Sequence, residues 1–250
     1  MRILLVNPNM TIAMTDRMAD IASKVAPYGT EIVPLTADRG FPYIASRAEA
    51  QIAGAIAYEL IAEHAKGADA AIIAAFGDPG LAGARELFDF PVIGMAEAAL
   101  MSAAMLGERF AIVTFSPVMR RWYEDTARDA GLLARFTGVR APDNHIADLE
   151  SAQSALQEDL IALCRCAVEE DGADVVILGG APLAGMEADI RQHVDAIVLD
   201  PISAATAQTV ALLSMTGADS FGRRHAKPLA KAATGLPAAL TRRFARDRTP

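Results

Sequence analysis

The chain has 250 residues, 52% of them hydrophobic, enough for one large α/β domain or two smaller lobes around a full core. Its net charge of -8 excludes a general nucleic-acid surface, which draws on clustered Lys and Arg. No apolar run reaches membrane-spanning length and no signal-peptide pattern precedes the first strand, so the expected setting is the cytoplasm, with no membrane partner.

Arg2 to Asn7 reads as a buried first strand, followed by the loop Pro8-Asn9-Met10-Thr11 and a helix to about Val25. Thr30 to Thr36 is the second strand. Ala37 to Ala45, with Gly40, Pro42 and Tyr43, fits neither periodicity and is expected to cross the sheet edge. Ser46 to Ala65 is an Ala-rich helix with Ile52, Ile56 and Leu60 on one face. Strand three, Ala70 to Phe76, runs into the turn Gly77-Asp78-Pro79-Gly80 and a short helix to Phe88. Strand four is Pro91 to Met95, and a helix starts at Ala96.

The order then restarts. Arg109 to Phe115 is a strand, Pro117 to Ala130 a helix with Pro at a permitted first-turn position, and Phe136 to Arg140 a strand. A polar link holding His145 leads to a helix from Ser151 to Glu170. Ala173 to Leu178 is a strand ending in Gly179-Gly180-Ala181-Pro182, an echo of the turn a hundred residues earlier. Gly77, Leu81, Ala82 and Gly83 match Gly179, Leu183, Ala184 and Gly185. A helix over Glu187 to His193, a strand over Ala196 to Asp200 and a helix over Ser203 to Leu213 complete the second half. From Phe221 to Pro250 there are eight Lys or Arg and one acid, read as a solvated final segment packing on a neighbouring lobe or subunit.

Alternation of this kind predicts an α/β fold of two pseudo-symmetric lobes, each a mostly parallel four-stranded sheet flanked by helices. Residues 1–96 with 211–250 form the first lobe and 97–210 the second, with the site between them. Ligands of such sheets gather at the strand C-terminal ends. There the backbone N–H groups of the two turns can face a small anionic or imide guest from opposite sides. Ala75, Phe76 and Gly77 come from one turn and Gly180, Ala181 and Pro182 from the other. Neighbouring loops add Asn7 and Asn9, Tyr43, and Thr114 with Ser116. Asp78 either caps the short helix or faces the ligand. Glu97 is either an acid or base, or a first-turn carboxylate favouring the helix dipole.

No dinucleotide fingerprint, phosphate-binding loop or nucleophile elbow is present, so a nucleotide cofactor and that class of hydrolase lack support. The four histidines have no metal-ligand spacing, and none is assigned a catalytic role. Cys164 and Cys166 point about 200° apart on their helix and read as core and surface thiols.

The segments Asn7-Pro8-Asn9-Met10-Thr11, Phe76-Gly77-Asp78-Pro79-Gly80-Leu81, Ile93-Gly94-Met95-Ala96-Glu97-Ala98 and Leu178-Gly179-Gly180-Ala181-Pro182-Leu183-Ala184-Gly185, with the Tyr43 to Arg47 stretch, resemble the hydantoin and allantoin racemases of the aspartate/glutamate racemase superfamily. The resemblance spans residues 1 to about 215. It implies a homo-oligomer and cofactor-free, metal-free chemistry at a carbon next to a carbonyl, with one thiol on each face. Those family cysteines fall on Ala75 and Gly180, where neither a methyl nor a hydrogen can carry a proton. The resemblance therefore suggests a racemase or isomerase of a cyclic ureide or amino-acid derivative with its proton carriers elsewhere, Asp78 and Glu97 being the leading candidates. A related lyase, decarboxylase or ring-opening enzyme, and a non-catalytic small-anion binder, are the alternatives.

Overall fold

The computed structural model describes residues 1–143, 152–216, 218–223 and 227–245. His145, His225 and Ser151 lie outside the described residues. The first half is β1 (Arg2–Asn7), α1 (Ile12–Val25), β2 (Glu31–Thr36), α2 (Arg47–His64), β3 (Ala70–Ile73), α3 (Leu81–Leu87), β4 (Val92–Gly94) and α4 (Met95–Leu106). The second is β5 (Phe110–Thr114), α5 (Arg120–Asp129), β6 (Phe136–Arg140), α6 (Ala152–Glu169), β7 (Val175–Gly179), α7 (Glu187–Ile190), β8 (Ile197–Leu199) and α8 (Pro201–Met215), with α9 (Ala238–Ala245) after it.

The strands form two four-stranded sheets of the same topology, β2-β1-β3-β4 and β6-β5-β7-β8, every pairing parallel. Both faces of β1 are covered, so its run is apolar throughout. Ile3 and Leu5 enter one core, while Leu4 and Val6 enter a second beneath α2 with Ala57, Ile61 and Phe88. The larger core is continuous across the halves. It joins Ile72, Phe76 and Ile93 of the first sheet to Phe110, Ile112, Val176 and Leu178 of the second. Each such side chain withdrawn from water contributes about 1.5–3 kcal/mol before chain entropy is counted.

The expected lobe boundaries at 96/97 and 210/211 fall inside α4 and α8, which pack on each other, and each of the two touches both sheets. α8 thus returns to the first half, and α9 packs on α2 with Leu240 buried. The final segment is further tied down by Lys227 to Asp89 and by the Arg243 guanidinium 5.5 Å above the Phe88 ring.

Local chemistry moves several element ends. Asp200, not Ser203, starts α8: its carboxylate accepts the Ser203 N–H at 2.8 Å, and Pro201 stands in the first turn. The same carboxylate accepts the Gly185 N–H at 3.1 Å, tying the end of β8 to the echo turn. Pro117–Met119 forms a tighter 3-10 turn before α5 begins.

Candidate active site

Both turns follow the middle strands of their sheets, and the larger core brings them together. β3 keeps its ladder one step further, Ala74 N–H donating to Val6 O at 2.8 Å, before the chain turns at Ala75. The turn spends its own donors: Asp78 N–H bonds Ala75 O, and Leu81 N–H bonds Asp78 O. Gly77 has φ +121°, and a Cβ there would lie 2.6 Å from Trp122 Cε2, so both backbone and space demand glycine. In the echo turn, a Cβ on Gly179 would stand 3.3 Å from Phe76 Cε1, which measures how closely the turns approach.

Between them lies a narrow hollow. The first half lines it with Asn9, Met14, Tyr43, Ile44, Ala75 and Phe76. The second half supplies Phe115, Met119, Trp122, Tyr123, Gly180, Ala181 and Pro182. Seven of the sequence-derived candidates therefore meet: Asn9, Tyr43, Ala75, Phe76, Gly180, Ala181 and Pro182. The irregular loop after β2 arches over this edge, held by Met10 N–H to Phe41 O at 2.9 Å and by the Thr11 hydroxyl to Pro42 O at 2.6 Å. Arg47, at the start of α2, reaches across to α5, where it donates to the Asp125 carboxylate and to Arg121 O.

Asn7, Thr114 and Ser116 are fully buried behind the hollow rather than in its wall. Asn7 organises the first loop: its Nδ2 donates to Asn9 Oδ1 and to Thr15 Oγ1, both at 2.9 Å, and its Oδ1 accepts the Asn9 N–H at 3.2 Å. Thr114 places its hydroxyl toward the Tyr123 phenol without a fully formed hydrogen bond. Ser116 starts the 3-10 turn that leads into α5.

The two carboxylates proposed as proton carriers do not line this hollow. Asp78, Glu97 and Gly77 line an adjoining recess beyond Trp122, with Arg85, Asp125 and Asp129. Asp78 has a left-handed backbone (φ +50°), and both its oxygens cap α4, accepting Ala96 N–H at 2.8 Å and Glu97 N–H at 2.7 Å. Gly94 makes room for it, since a Cβ there would stand 2.7 Å from Asp78 Oδ1. Burial pushes the Asp78 carboxyl up to about 7 and the Glu97 charge adds to the rise, while the two amide bonds and Arg85 oppose it. Glu97 is held by a two-pronged bridge to the Arg85 guanidinium, which also donates to Val92 O. Each carboxylate therefore has a structural partner set, and neither enters the hollow.

The residues that sequence reasoning missed are Met14, Ile44, Phe115, Met119, Trp122 and Tyr123. The sole Trp, directly followed by a Tyr on the helix after a strand-end turn, was the available signal. Tyr123 stacks edge-on against Phe76 across the joint, centroids 4.7 Å apart. The cysteines are remote, on α6. Burial pushes the Cys164 thiol up to about 12 and raises that of Cys166, which Glu170 reinforces. Among the described residues there is no group of three or more His, Cys, Asp or Glu able to hold a metal ion, and no helix is long and apolar enough to cross a membrane.

The Asp/Glu/Hydantoin racemase family model matches residues 3–209. A hydantoin racemase of Paenarthrobacter aurescens is 33% identical over 233 residues, covering 92% of this chain and 99% of that protein. The allantoin racemase structure from Klebsiella pneumoniae superposes with a TM-score of 0.86 at 32% identity, over 96% of this chain and 98% of that one. That from Pseudomonas fluorescens gives 0.88 at 33%, over 94% and 100%. The chain belongs to the Asp/Glu/hydantoin racemase family.

Proposed function

We propose, from that membership, that this protein is a cofactor-independent racemase acting on the carbon next to a carbonyl in a small cyclic ureide of the hydantoin or allantoin type. The observation that carries the reading is the shared hollow at the ends of β3 and β7, in a chain similar along nearly its whole length to hydantoin and allantoin racemases. Its lining supports a neutral ring over an amino acid. None of the lining residues is Lys, Arg, His, Asp or Glu, so a bound ammonium and carboxylate would lose hydration without an ionic partner, whereas an imide needs only neutral hydrogen bonds. Asn9, Tyr43 and Tyr123 are the side chains able to supply them. Ala75, Phe76, Gly180, Ala181 and Pro182 bind the ring, while Asn7, Thr114 and Ser116 hold the wall in place. The expected setting is the cytoplasm and the expected form a homo-oligomer.

The test is loss of the α-hydrogen. Single enantiomers of allantoin and of 5-substituted hydantoins are incubated with the protein in D₂O and followed by proton NMR and chiral chromatography. The expected result is deuterium at the α-carbon together with loss of enantiomeric excess. Conversion to a new product places the chain with the lyases or ring-opening enzymes, and ligand-induced thermal stabilisation without exchange makes it a binding protein.

A further inference from the structure

Inversion at carbon needs one group to take a proton from one face and another to give a proton to the opposite face. Among the residues lining the hollow, two have a titratable side chain: Tyr43 and Tyr123. They come from opposite halves, Tyr43 from the loop between β2 and α2 and Tyr123 from α5. A Cβ built on Gly180, the position to which the resemblance assigns the second thiol, would lie 3.6 Å from the Tyr123 hydroxyl oxygen and 2.7 Å from Phe115 Cε1. With φ +128° at Gly180, the space of a side chain there is already taken by these rings. Charged groups on the flanking elements, namely Arg47 of α2, Asp125 of α5 and Asp78 before α3, take no part in the lining.

Resting on the ureide-racemase reading, we propose that Tyr43 and Tyr123 are the two proton carriers, one for each face of the substrate, in place of a thiol pair. The phenolate of one takes the proton from the ring carbon, and the electron pair of the broken C–H bond passes into the adjacent carbonyl as an enolate. The O–H bond of the other breaks as its proton forms the new C–H bond on the opposite face. The phenolate now lies on the second tyrosine, ready to act on the opposite enantiomer. Tyr123 is 2% exposed, and burial holds its phenol above the ordinary range with Thr114 opposing, so at neutral pH it rests as the donor. Tyr43, half-buried, is the partner on the other face.

Tyr43→Phe and Tyr123→Phe are the variants, read with single hydantoin enantiomers in D₂O. Each is expected to lower racemisation at least about 100-fold, far beyond the weakening of hydantoin-induced thermal stabilisation that loss of one hydroxyl contact brings. Each should also keep exchange of the α-hydrogen of one enantiomer without inversion, the preferred enantiomer differing between the two variants. A merely structural role would slow exchange and inversion together. The wild-type rate should climb from pH 7 toward about pH 10, where phenols ionise, and fluorotyrosine in place of tyrosine should move that rise to lower pH. The fluorotyrosine protein keeps the test decisive if Tyr123→Phe fails to fold. Racemisation within about threefold of wild type in both variants, or a pH profile that fluorotyrosine does not move, overturns the phenol pair and leaves the racemase reading standing. A wild type that exchanges no α-hydrogen in any cyclic ureide overturns both.

Discussion

Two cavities share the Trp122 ring as a wall, and they differ in almost everything else. On one side is the hollow, aromatic and without a charged side chain in its lining; on the other is a roomier recess that holds Asp78, Glu97, Asp125, Asp129 and Arg85. The recess has the carboxylates able to act as acids or bases, yet the best placed of them are consumed in holding α4 and pairing with Arg85. The hollow is poor in such groups but lies at the joint of the two sheets, where the main chain of both turns meets. Charge density marks a helix terminus here, and position in the fold marks the proposed site.

The harshest way to break the contrast is to merge the cavities. Gly77→Ala puts a methyl into the Trp122 ring at a backbone angle that L-residues rarely adopt. It is expected to cost about 2–4 kcal/mol in urea unfolding and to abolish racemisation, since Trp122 walls both spaces. Asp78→Ala should cost about 1–2 kcal/mol by uncapping α4, while the folded enzyme keeps racemisation within a few-fold, measured as initial rate per folded molecule. A larger loss of rate than of stability would put Asp78 back among the proton carriers.

Asp78 also gives the recess a pH signature. Its carboxyl is pushed up to about 7 from the ordinary carboxylate range near 4, so between those values the folded state binds the proton that the unfolded chain releases. Its contribution to stability is therefore complete below about pH 4, declines as pH rises to 7 and is level above. Urea midpoints measured from pH 4 to 8 should show that decline in the wild type and a flatter profile in Asp78→Ala.

Arg47→Ala loosens the loop that carries Tyr43. Stability should change by less than about 0.5 kcal/mol, because the bridge to Asp125 is exposed, and the kinetic effect should fall on KM more than on kcat. Smallest of all is Glu97→Gln, which removes an ion pair from the recess only. Racemisation should stay within about twofold and stability within about 1 kcal/mol.

Much of the architecture was legible because buried parallel strands announce themselves as short apolar runs. Arg2 to Asn7 coincides with β1, β5 and β7 fall within two residues of the expected Arg109 to Phe115 and Ala173 to Leu178, and the final helices pack back on the first half. Half of the hollow was legible too, since Ala75, Phe76, Gly180, Ala181 and Pro182 follow from the strand-end rule alone. The aromatic half was not. Phe115, Trp122 and Tyr123 enter it through the 3-10 turn at Pro117–Met119, which swings α5 across the joint in a way no local periodicity records. The direction of Asp78 was equally hidden. A capping residue and a ligand-facing one look alike in sequence, and the deciding facts are its left-handed backbone and the missing Cβ of Gly94, sixteen residues on but adjacent only after folding.

The uninterrupted apolar core also constrains how a guest gets in. Swinging the two sheets apart would wet Phe76, Ile112 and Leu178 together, at about 1.5–3 kcal/mol for each large side chain exposed. The segment 37–45, held midway by Met10 N–H to Phe41 O and the Thr11 hydroxyl to Pro42 O, has only Ala37 fully buried and is cheaper to displace. That difference makes the strip of backbone, and not the walls, the expected way in.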